Sequence, residues 1–228
     1  MMSATTARRR PIVEPEILAR SGTFALQLMA VRRWAGEHLG DVKHEQRVMQ
    51  VAVHLFDLTA HLHGLGSQHR RLLKLGALLH DVGRYQEAKK HHVTGAKLIL
   101  NSRTLPLNGT ERQVAAYLAR YHRGEVPAAV SATYLPEGMS VTELQLLLAI
   151  LRAADTLDNR RLQQPTLILR LKGRRLRIKC WVDGQWRRAR RVFQRRRKFK
   201  MLRQMLNVRV KVQVKRADLA TAEAYQVG

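Results

Sequence analysis

One segment of this chain can be stable only in the middle of a folded protein: it runs from Arg70 to Asp81 and reads RRLLKLGALLHD. After its first turn the segment is almost wholly apolar. A helix with apolar side chains on every side needs neighbouring elements to cover it all round. The segment therefore predicts the central helix of a mainly α protein, and we expect Gly83 to end that helix.

Other segments with one apolar face supply the helices that could surround it. In the predicted helix from Val42 to Leu62, Val48, Val51 and Leu55 share a face, and His44 extends that face by one turn. Two later helices are expected to begin at capping boxes, which satisfy the first backbone N–H groups. The predicted helices run from Pro15 to His38, from Val42 to Leu62 and from His91 to Leu100, and begin at Thr110 (with Gln113) and at Ser140 (with Glu143).

Beyond Pro165 the hydrophobic period changes from that of a helix to an alternation that is typical of strands. A strand pair, a basic helix and a last strand follow one another there. The sequence thus predicts a helical bundle followed by a small basic α+β unit of β-β-α-β order. The predicted strands are Thr166 to Leu171, Arg175 to Val182 and Val208 to Lys215, and the predicted helix is Trp186 to Leu206.

We expect three parts: a basic tail over residues 1–15, a helical domain over residues 16–164 and the α+β domain over residues 165–228. The last boundary coincides with a step in charge. The chain has a formal net charge of +25, and residues 170–216 carry 20 basic residues and one acid, Asp183. Self-repulsion on that scale destabilises a compact state unless a counter-charge binds, so the expected partner is a polyanion. Polyphosphate, a phosphorylated substrate and nucleic acid all remain open.

Cysteine content and hydropathy bear on the compartment. A single cysteine, Cys180, cannot form an internal disulfide or a thiolate metal cluster. No apolar stretch reaches the roughly 18 residues of a membrane-spanning helix, and the basic N-terminus has no apolar segment behind it. We therefore expect a cytoplasmic protein without a membrane partner.

Several polar residues lie where the helical pattern calls for apolar ones. Four of them are His44, His80, Asp81 and Asp155. Buried imidazole and carboxylate groups that converge are costly without a shared partner, and a divalent cation satisfies all of them. Two further histidines could join the site: His91 and His122. Asp158 is expected to cap its helix or to pair with Arg161 rather than to orient a metal ligand.

These residues carry a resemblance to a known family. Their order is similar to the signature of the HD superfamily of metal-dependent phosphohydrolases, which has an all-helical fold. The sequence resembles most closely the HD-type C-terminal region of the exopolyphosphatase and guanosine pentaphosphate phosphohydrolase family, over residues 40–160, and its tail resembles the small domain that ends those enzymes. The segments that carry the resemblance are VKHEQRVMQVAVHLFDLT, LHGLG, RRLLKLGALLHDVG, HHVTGAKLILNS, RYHRG and LRAADTLDN.

The resemblance implies a metal-dependent phosphohydrolase that acts on a phosphoester or phosphoanhydride, such as polyphosphate or a phosphorylated nucleotide. The implied ligands are His44, His80, Asp81 and Asp155 for one ion, and Asp81, His91 and His122 for a second. His80 and Asp81 are the implied catalytic residues. Nitrogen and oxygen ligands suit Mn²⁺, Mg²⁺, Fe²⁺, Co²⁺ or Ni²⁺. The residues expected to clamp phosphate oxygens are Arg84, Lys89, Lys90, Arg120 and Arg123.

Two features depart from that family. His122 is followed by Arg123, where many two-metal HD enzymes have a second histidine. Nothing in the chain resembles the actin-like lobes that hold the recognised catalytic centre of exopolyphosphatases. Two functions therefore remain: a free-standing HD enzyme, or a non-catalytic module that binds polyphosphate or nucleic acid and docks onto a separately encoded catalytic partner. A homodimer is also open, because the related enzymes are often dimers.

Overall fold

The computed structural model describes residues 15–160, 162 and 164–217, so the predicted N-terminal tail lies outside the described residues except for Pro15. The first part of the chain is helical: α1 (Pro15–Leu39), α2 (Lys43–Leu58), α3 (Ala60–His63), α4 (Ser67–Leu79), α5 (His91–Asn101), α6 (Gly109–Tyr121) and α7 (Val141–Leu157). The second part comprises β1 (Thr166–Lys172), β2 (Arg175–Val182), α8 (Trp186–Phe193), a 3₁₀ turn (Arg196–Phe199), α9 (Lys200–Leu206) and β3 (Arg209–Arg216). This order confirms the predicted fold class. Across the described ranges, no helix is both long and apolar enough to cross a membrane.

The helix α4 lies between two buried apolar clusters, which confirms its prediction as a central helix. Leu72 and Leu73 belong to a cluster that also includes residues of α2, α7 and the sheet. Leu75 and Leu79 belong to a second cluster with α1, α5 and α6. The helix α7 is also central, since residues 146–151 are all buried. Both helices are covered all round, so their apolar side chains hold the helical layers together.

The three-stranded sheet has the order β1-β2-β3. β1 pairs with β2 in antiparallel fashion, and β3 pairs with β2 in parallel fashion. A parallel pair needs a crossover connection, which α8 and α9 provide. Leu176, Ile178 and Cys180 of β2 face inward and belong to the same cluster as α2 and α7. The helical part and the sheet therefore share one apolar core.

The predicted continuous helix from Trp186 to Leu206 is wrong, because the chain forms α8, a 3₁₀ turn and α9 instead. At about 100° per residue, Phe193 at the end of one apolar stripe and Phe199 at the start of the next would point about 120° apart on a straight helix. Breaking the helix lets both phenylalanines become buried. The need to bury both stripes is the physical reason for the break.

Two further helix boundaries differ from the predicted ones. α6 begins at a capping box of Asn108 and Glu111 rather than of Thr110 and Gln113: the side chain of Asn108 accepts from the backbone N–H of Glu111 at 2.9 Å, and the carboxylate of Glu111 accepts from the N–H of Asn108 at 3.1 Å. The predicted helix from Val42 to Leu62 is interrupted at Thr59. The buried Thr59 hydroxyl donates to the carbonyl of Leu55, a bond that tends to bend helices.

Gly83 does not act as a helix stop. α4 ends four residues earlier, at Leu79, and the φ angle of Gly83 is not positive. Gly83 instead permits close contact with α5: a Cβ atom there would lie 2.3 Å from the carbonyl oxygen of His91 and 2.4 Å from the backbone nitrogen of Gly95. The absence of a side chain thus places the first turn of α5 directly against the turn after α4.

The substitution Gly83→Ala is expected to lower the free energy of unfolding by about 2 kcal/mol, because the clash is with backbone atoms that cannot rotate away. Urea unfolding followed by circular dichroism measures the change. Gly109→Ala is the matched control, since a Cβ atom at Gly109 meets nothing within 4 Å. An equal loss of stability in both variants would refute the close-contact explanation.

Candidate metal centre

The turn after α4 carries His80 and Asp81, both buried, at the point where five helices meet. The other four predicted ligands come from the ends of the surrounding helices. They are His44 in the first turn of α2, His91 at the start of α5, His122 directly after α6 and Asp155 in the last turn of α7. The structure therefore brings together all six residues that the sequence places in this site.

Asp81 is the common member of two groups. Its Oδ1 lies 3.1 Å from Nε2 of His91 and 3.3 Å from Nε2 of His122. The second group consists of Asp81, His44 and His80. In each group the three potential ligand atoms lie within 4.8 Å of one another, and all five participating residues are buried. Each group offers the nitrogen and carboxylate ligands that bind divalent transition metals.

Asp155 lies beside the second group. Its Oδ1 is 3.3 Å from Nε2 of His44 and 3.7 Å from Nε2 of His80. Its side chain retains 15% exposure, so Asp155 is the member of the set that reaches solvent. A ligand from solvent would therefore meet Asp155 before the fully buried His80.

Backbone carbonyls determine which nitrogen of three histidines faces the centre. In His80, His91 and His122, Nδ1 lies 2.8 Å from the carbonyl oxygen of the residue three positions earlier. A carbonyl oxygen only accepts hydrogen bonds, so Nδ1 carries the proton. In a neutral ring, Nε2 is then a bare lone pair that points into the centre. These contacts prepare the three rings to bind a cation.

The resulting arrangement lacks donors. Nε2 of His91 and Nε2 of His122 lie 3.3 Å apart, with a lone pair on each neutral ring. Nε2 of His80 is fully buried and has no hydrogen-bond partner among the described residues. Facing lone pairs and an orphaned buried acceptor are unfavourable unless a positive charge lies between them. The donor set therefore fits a divalent cation with nitrogen and oxygen ligands.

Asp158 orients the fourth histidine. Nδ1 of His44 donates to Oδ2 of Asp158 at 2.6 Å, and the guanidinium of Arg47 holds both carboxylate oxygens at 2.9 and 3.0 Å. Asp158 occupies the C-cap position of α7, as expected, and it also holds the ring of His44, the role that the sequence analysis ranked lower. The alternative partner, Arg161, lies outside the described residues. The contact with Asp158 leaves Nε2 of His44 facing the centre, as in the other three rings.

The sequence analysis missed an ion pair beside the centre, between a buried carboxylate and a partly exposed arginine. Glu45 is fully buried, and Arg160 donates to its carboxylate and also to Oδ2 of Asp81, at 3.1 Å for the second contact. Arg160 thus binds one oxygen of Asp81 while His91 and His122 face the other. Glu45 gave no signal in the sequence, because an acid in the first turn of a helix is ordinary.

The charges of the centre shift several pKa values. Burial opposes protonation of His80, but the negative charges of Asp81 and Asp155 outweigh it and raise the pKa of His80 to about 9. At His122, burial outweighs the contact with Asp81 and lowers the pKa to about 4. Burial favours protonation of Asp81, but His80, His122 and His91 hold its pKa far below the usual range. A proton on His80 therefore supplies positive charge that a metal would otherwise supply.

The centre lies at the floor of a cleft of about 540 Å³. Of the predicted phosphate-binding residues, Arg84, Lys89 and Arg123 line this cleft. Lys90 and Arg120 are not among the described residues that line it, and the guanidinium of Arg120 lies over the Tyr121 ring at 5.0 Å. The structure therefore places three of the five predicted cations next to the centre.

Other cations of the cleft lie beyond α7, and all but one of them come from the second part of the chain. They are Arg160, Arg188, Arg195 and Lys198. A second cleft, of about 1040 Å³, adjoins the first and shares Arg123, Asp155 and Lys198 with it. The centre therefore lies where two clefts join, and basic residues of the second part of the chain form part of their walls.

The fold and the site define a mainly helical protein with a buried histidine and aspartate centre beneath cationic clefts. Residues 28–197 match the family model described as Ppx/GppA phosphatase, domain III, which covers most of the chain. The chain therefore belongs to this family, as its resemblance to the exopolyphosphatase and guanosine pentaphosphate phosphohydrolase family implies. The matched range contains all six clustered residues. No curated protein matches the chain.

The stability of the metal-free protein should pass through a maximum near pH 6.5. The raised pKa of His80 gives stability that is complete below 6.5 and is lost as the pH rises through about 9. The lowered pKa of His122 gives stability that is complete above 6.5 and is lost as the pH falls through about 4. Thermal unfolding in a chelator across this range measures the curve. Added Mn²⁺ should raise Tm most on the alkaline side, where no proton competes for His80.

A steady rise of Tm from pH 6.5 to pH 9 in the chelated protein would contradict this assignment of charges. The variant His80→Ala provides the control, because it removes the group responsible for the alkaline decline. Its Tm should change less between these two pH values than that of the parent protein.

Proposed function

We propose that this protein is an HD-type metal-dependent phosphohydrolase, whose substrate is a phosphoester or phosphoanhydride such as polyphosphate or a phosphorylated nucleotide. Membership of the Ppx/GppA phosphatase family supports a phosphatase-related function. The observation that carries the proposal is the pair of ligand groups that share Asp81, with imidazole lone pairs that face one another beneath a cationic cleft.

The residues that would hold the metal divide into two sets. They are His44, His80, Asp81 and Asp155 for one ion, and Asp81, His91 and His122 for a second. A divalent cation in this position supplies a Lewis acid for phosphoryl oxygens and favours deprotonation of a water molecule. The nitrogen and oxygen donors fit Mn²⁺, Mg²⁺, Fe²⁺, Co²⁺ or Ni²⁺, and the chemistry of the ligands does not distinguish among these ions.

The chain's own residues prepare the centre for this chemistry. Asp158 keeps the proton of His44 on Nδ1, and carbonyl oxygens do the same for the other rings. Arg160 holds Oδ2 of Asp81, so Oδ1 stays directed towards His91 and His122. These contacts reduce the reorganisation that ligand binding would otherwise require.

The cations of the cleft bind and orient the substrate. Arg84 lies 3.9 Å from Oδ2 of Asp81, and Arg123 lines both clefts. Guanidinium groups form paired, charge-assisted hydrogen bonds with phosphate oxygens. A substrate with several phosphate groups that extends from one cleft into the other would contact Arg123 and Lys198, which line both. The joined clefts therefore favour a substrate with more than one phosphate group.

Replacing Asp81 should show whether the protein is an enzyme or a non-catalytic binding module. Asp81→Ala removes the residue common to both ligand groups and should abolish phosphate release in the presence of Mn²⁺, with loss of bound metal. Elemental analysis and a phosphate-release screen on polyphosphate and phosphorylated nucleotides measure both effects. Asp57→Ala is the control, because Asp57 is a half-exposed carboxylate paired with Arg70 away from the centre.

Stoichiometric metal in the parent protein, lost from Asp81→Ala only, would support the hydrolase. Tight polyanion binding without hydrolysis under any metal, unchanged in Asp81→Ala, would contradict it and favour the non-catalytic module. Circular dichroism of each variant distinguishes loss of folding from loss of bound metal.

Arg123→Gln should raise KM about tenfold with a smaller effect on kcat, because a charge-assisted hydrogen bond to phosphate contributes ~1.5 kcal/mol or more. Arg120→Gln removes the same charge three residues away, from a side chain that lies over Tyr121, and should change KM less than about twofold. Steady-state phosphate release measures both variants. Equal effects would mean that net charge, rather than position in the cleft, determines substrate binding.

A further inference from the structure

The sheet has an outer face that carries a dense set of cations. Burial alternates along β2: Leu176 and Ile178 are buried, whereas Arg175 and Arg177 are exposed. The pairing register extends this alternation to both neighbouring strands. The sheet therefore has one side in the apolar core and one side that is basic, which we call the outer face.

The cations of the outer face form two rows in register across all three strands. The first row is Arg170, Arg177 and Lys211, and the second row is Lys172, Arg175 and Arg209. All six side chains are exposed. Neighbouring strands are about 4.8 Å apart, and alternate residues along one strand are about 6.8 Å apart. Six positive charges therefore occupy a small, two-dimensional patch.

This arrangement is unfavourable for the protein alone. Like charges directly opposite one another on neighbouring strands destabilise a sheet. In the described part of the chain, no carboxylate forms an ion pair with any of the six. Protection against aggregation explains basic residues on edge strands, but Arg175 and Arg177 lie on the central strand. The patch therefore has the character of a binding site for negative charge.

The outer face is separate from the clefts at the metal centre. The described residues that line those clefts include none from β1, β2 or β3. The basic residues that the second part of the chain contributes to these clefts come from α8, the 3₁₀ turn, the segment between them and the start of α9. A small substrate in the clefts therefore does not reach the outer face, and the ligand of the outer face is a second one.

We propose that the outer face binds nucleic acid through its phosphate backbone, without reading its sequence. A nucleic acid duplex presents phosphates from two strands over a broad surface, which matches a face with two rows of cations. A single linear chain of phosphates would contact one row at a time. Neither row contains an Asn, Gln, Asp or Glu that could read adenine or cytosine edges, and the guanine edges that arginine can read lie out of reach in the narrow major groove of an RNA duplex. Contacts to phosphate carry no sequence information, so sequence preference should be absent.

The test uses the full chain and a short fluorescein-labelled RNA duplex, with a DNA duplex of the same sequence beside it. Fluorescence anisotropy over a series of KCl concentrations gives affinity and its salt dependence. The variant Arg170→Gln/Arg177→Gln/Lys211→Gln removes one row. Its charge-matched control is Arg187→Gln/Arg191→Gln/Arg203→Gln, which removes three exposed arginines from α8 and α9.

Each lost phosphate contact lowers the slope of log affinity against log salt by about 0.9 for duplex DNA, so the row variant should lose about two to three in slope and at least about tenfold in affinity. The control should lose less than about threefold in affinity. The row variant should also show a higher Tm at low salt, because repulsion within the row is relieved. Its metal-dependent phosphate release should be unchanged.

Equal losses in the row variant and in the control would overturn the proposal, because net charge alone would then account for binding. Absence of nucleic acid binding, with polyphosphate binding that depends on the same row, would also overturn it by assigning a different ligand. Loss of phosphate release in Asp81→Ala with intact RNA binding leaves the outer face and the metal centre as separate sites.

Discussion

Imidazole nitrogens that face one another without a donor between them are the constraint on which the helical part of this protein depends. Each Nδ1 is held by a carbonyl oxygen or by Asp158, so each Nε2 points into one buried volume around Asp81. Five helices must meet there to supply these side chains. A cation there would offset the cost of burying them, and the raised pKa of His80 reflects the negative charge that Asp81 and Asp155 bring to this volume.

Close packing places the ligands at the required separation. Gly83 lets the first turn of α5 lie against the turn after α4, which sets His91 next to Asp81. Arg160 joins the end of α7 to the buried Glu45 of α2 and to Asp81. These contacts connect the stability of the helical core to the geometry of the site, because neither helix can shift without moving a ligand.

The second part of the chain uses its positive charge on two sides. α8, the 3₁₀ turn and the segment between them contribute Arg188, Lys198 and Arg195 to the cleft above the candidate metal centre. The outer face of the sheet points elsewhere and carries its own cations. The elements that form this cleft wall are packed onto α7, because Ala189, Phe193 and Phe199 belong to the same apolar core as its residues. One basic unit can thus assist phosphate binding at the centre and, as we propose, hold a larger polyanion separately.

Hydrophobic period determined much of this architecture from the sequence alone. The apolar run before His80 predicted a central helix, and alternation beyond Pro165 predicted the strands, because burial in water selects side chains by face. The same reasoning predicted that His44 and Asp155 face the core. Local pattern did not predict the break between Phe193 and Phe199, because the two stripes point in different directions and only the neighbouring elements decide how both become buried.

Contacts between distant segments were decided only by the tertiary structure. The sequence offered Arg84, Lys89, Lys90, Arg120 and Arg123 as phosphate ligands because they are near the histidines along the chain. Three of them line the cleft, together with cations that lie more than 60 residues beyond the last of these histidines, such as Arg188. Asp158 and Arg160 likewise acquired their roles from partners more than 70 residues away. Spacing along a chain shows which face a residue occupies, whereas packing decides which faces meet.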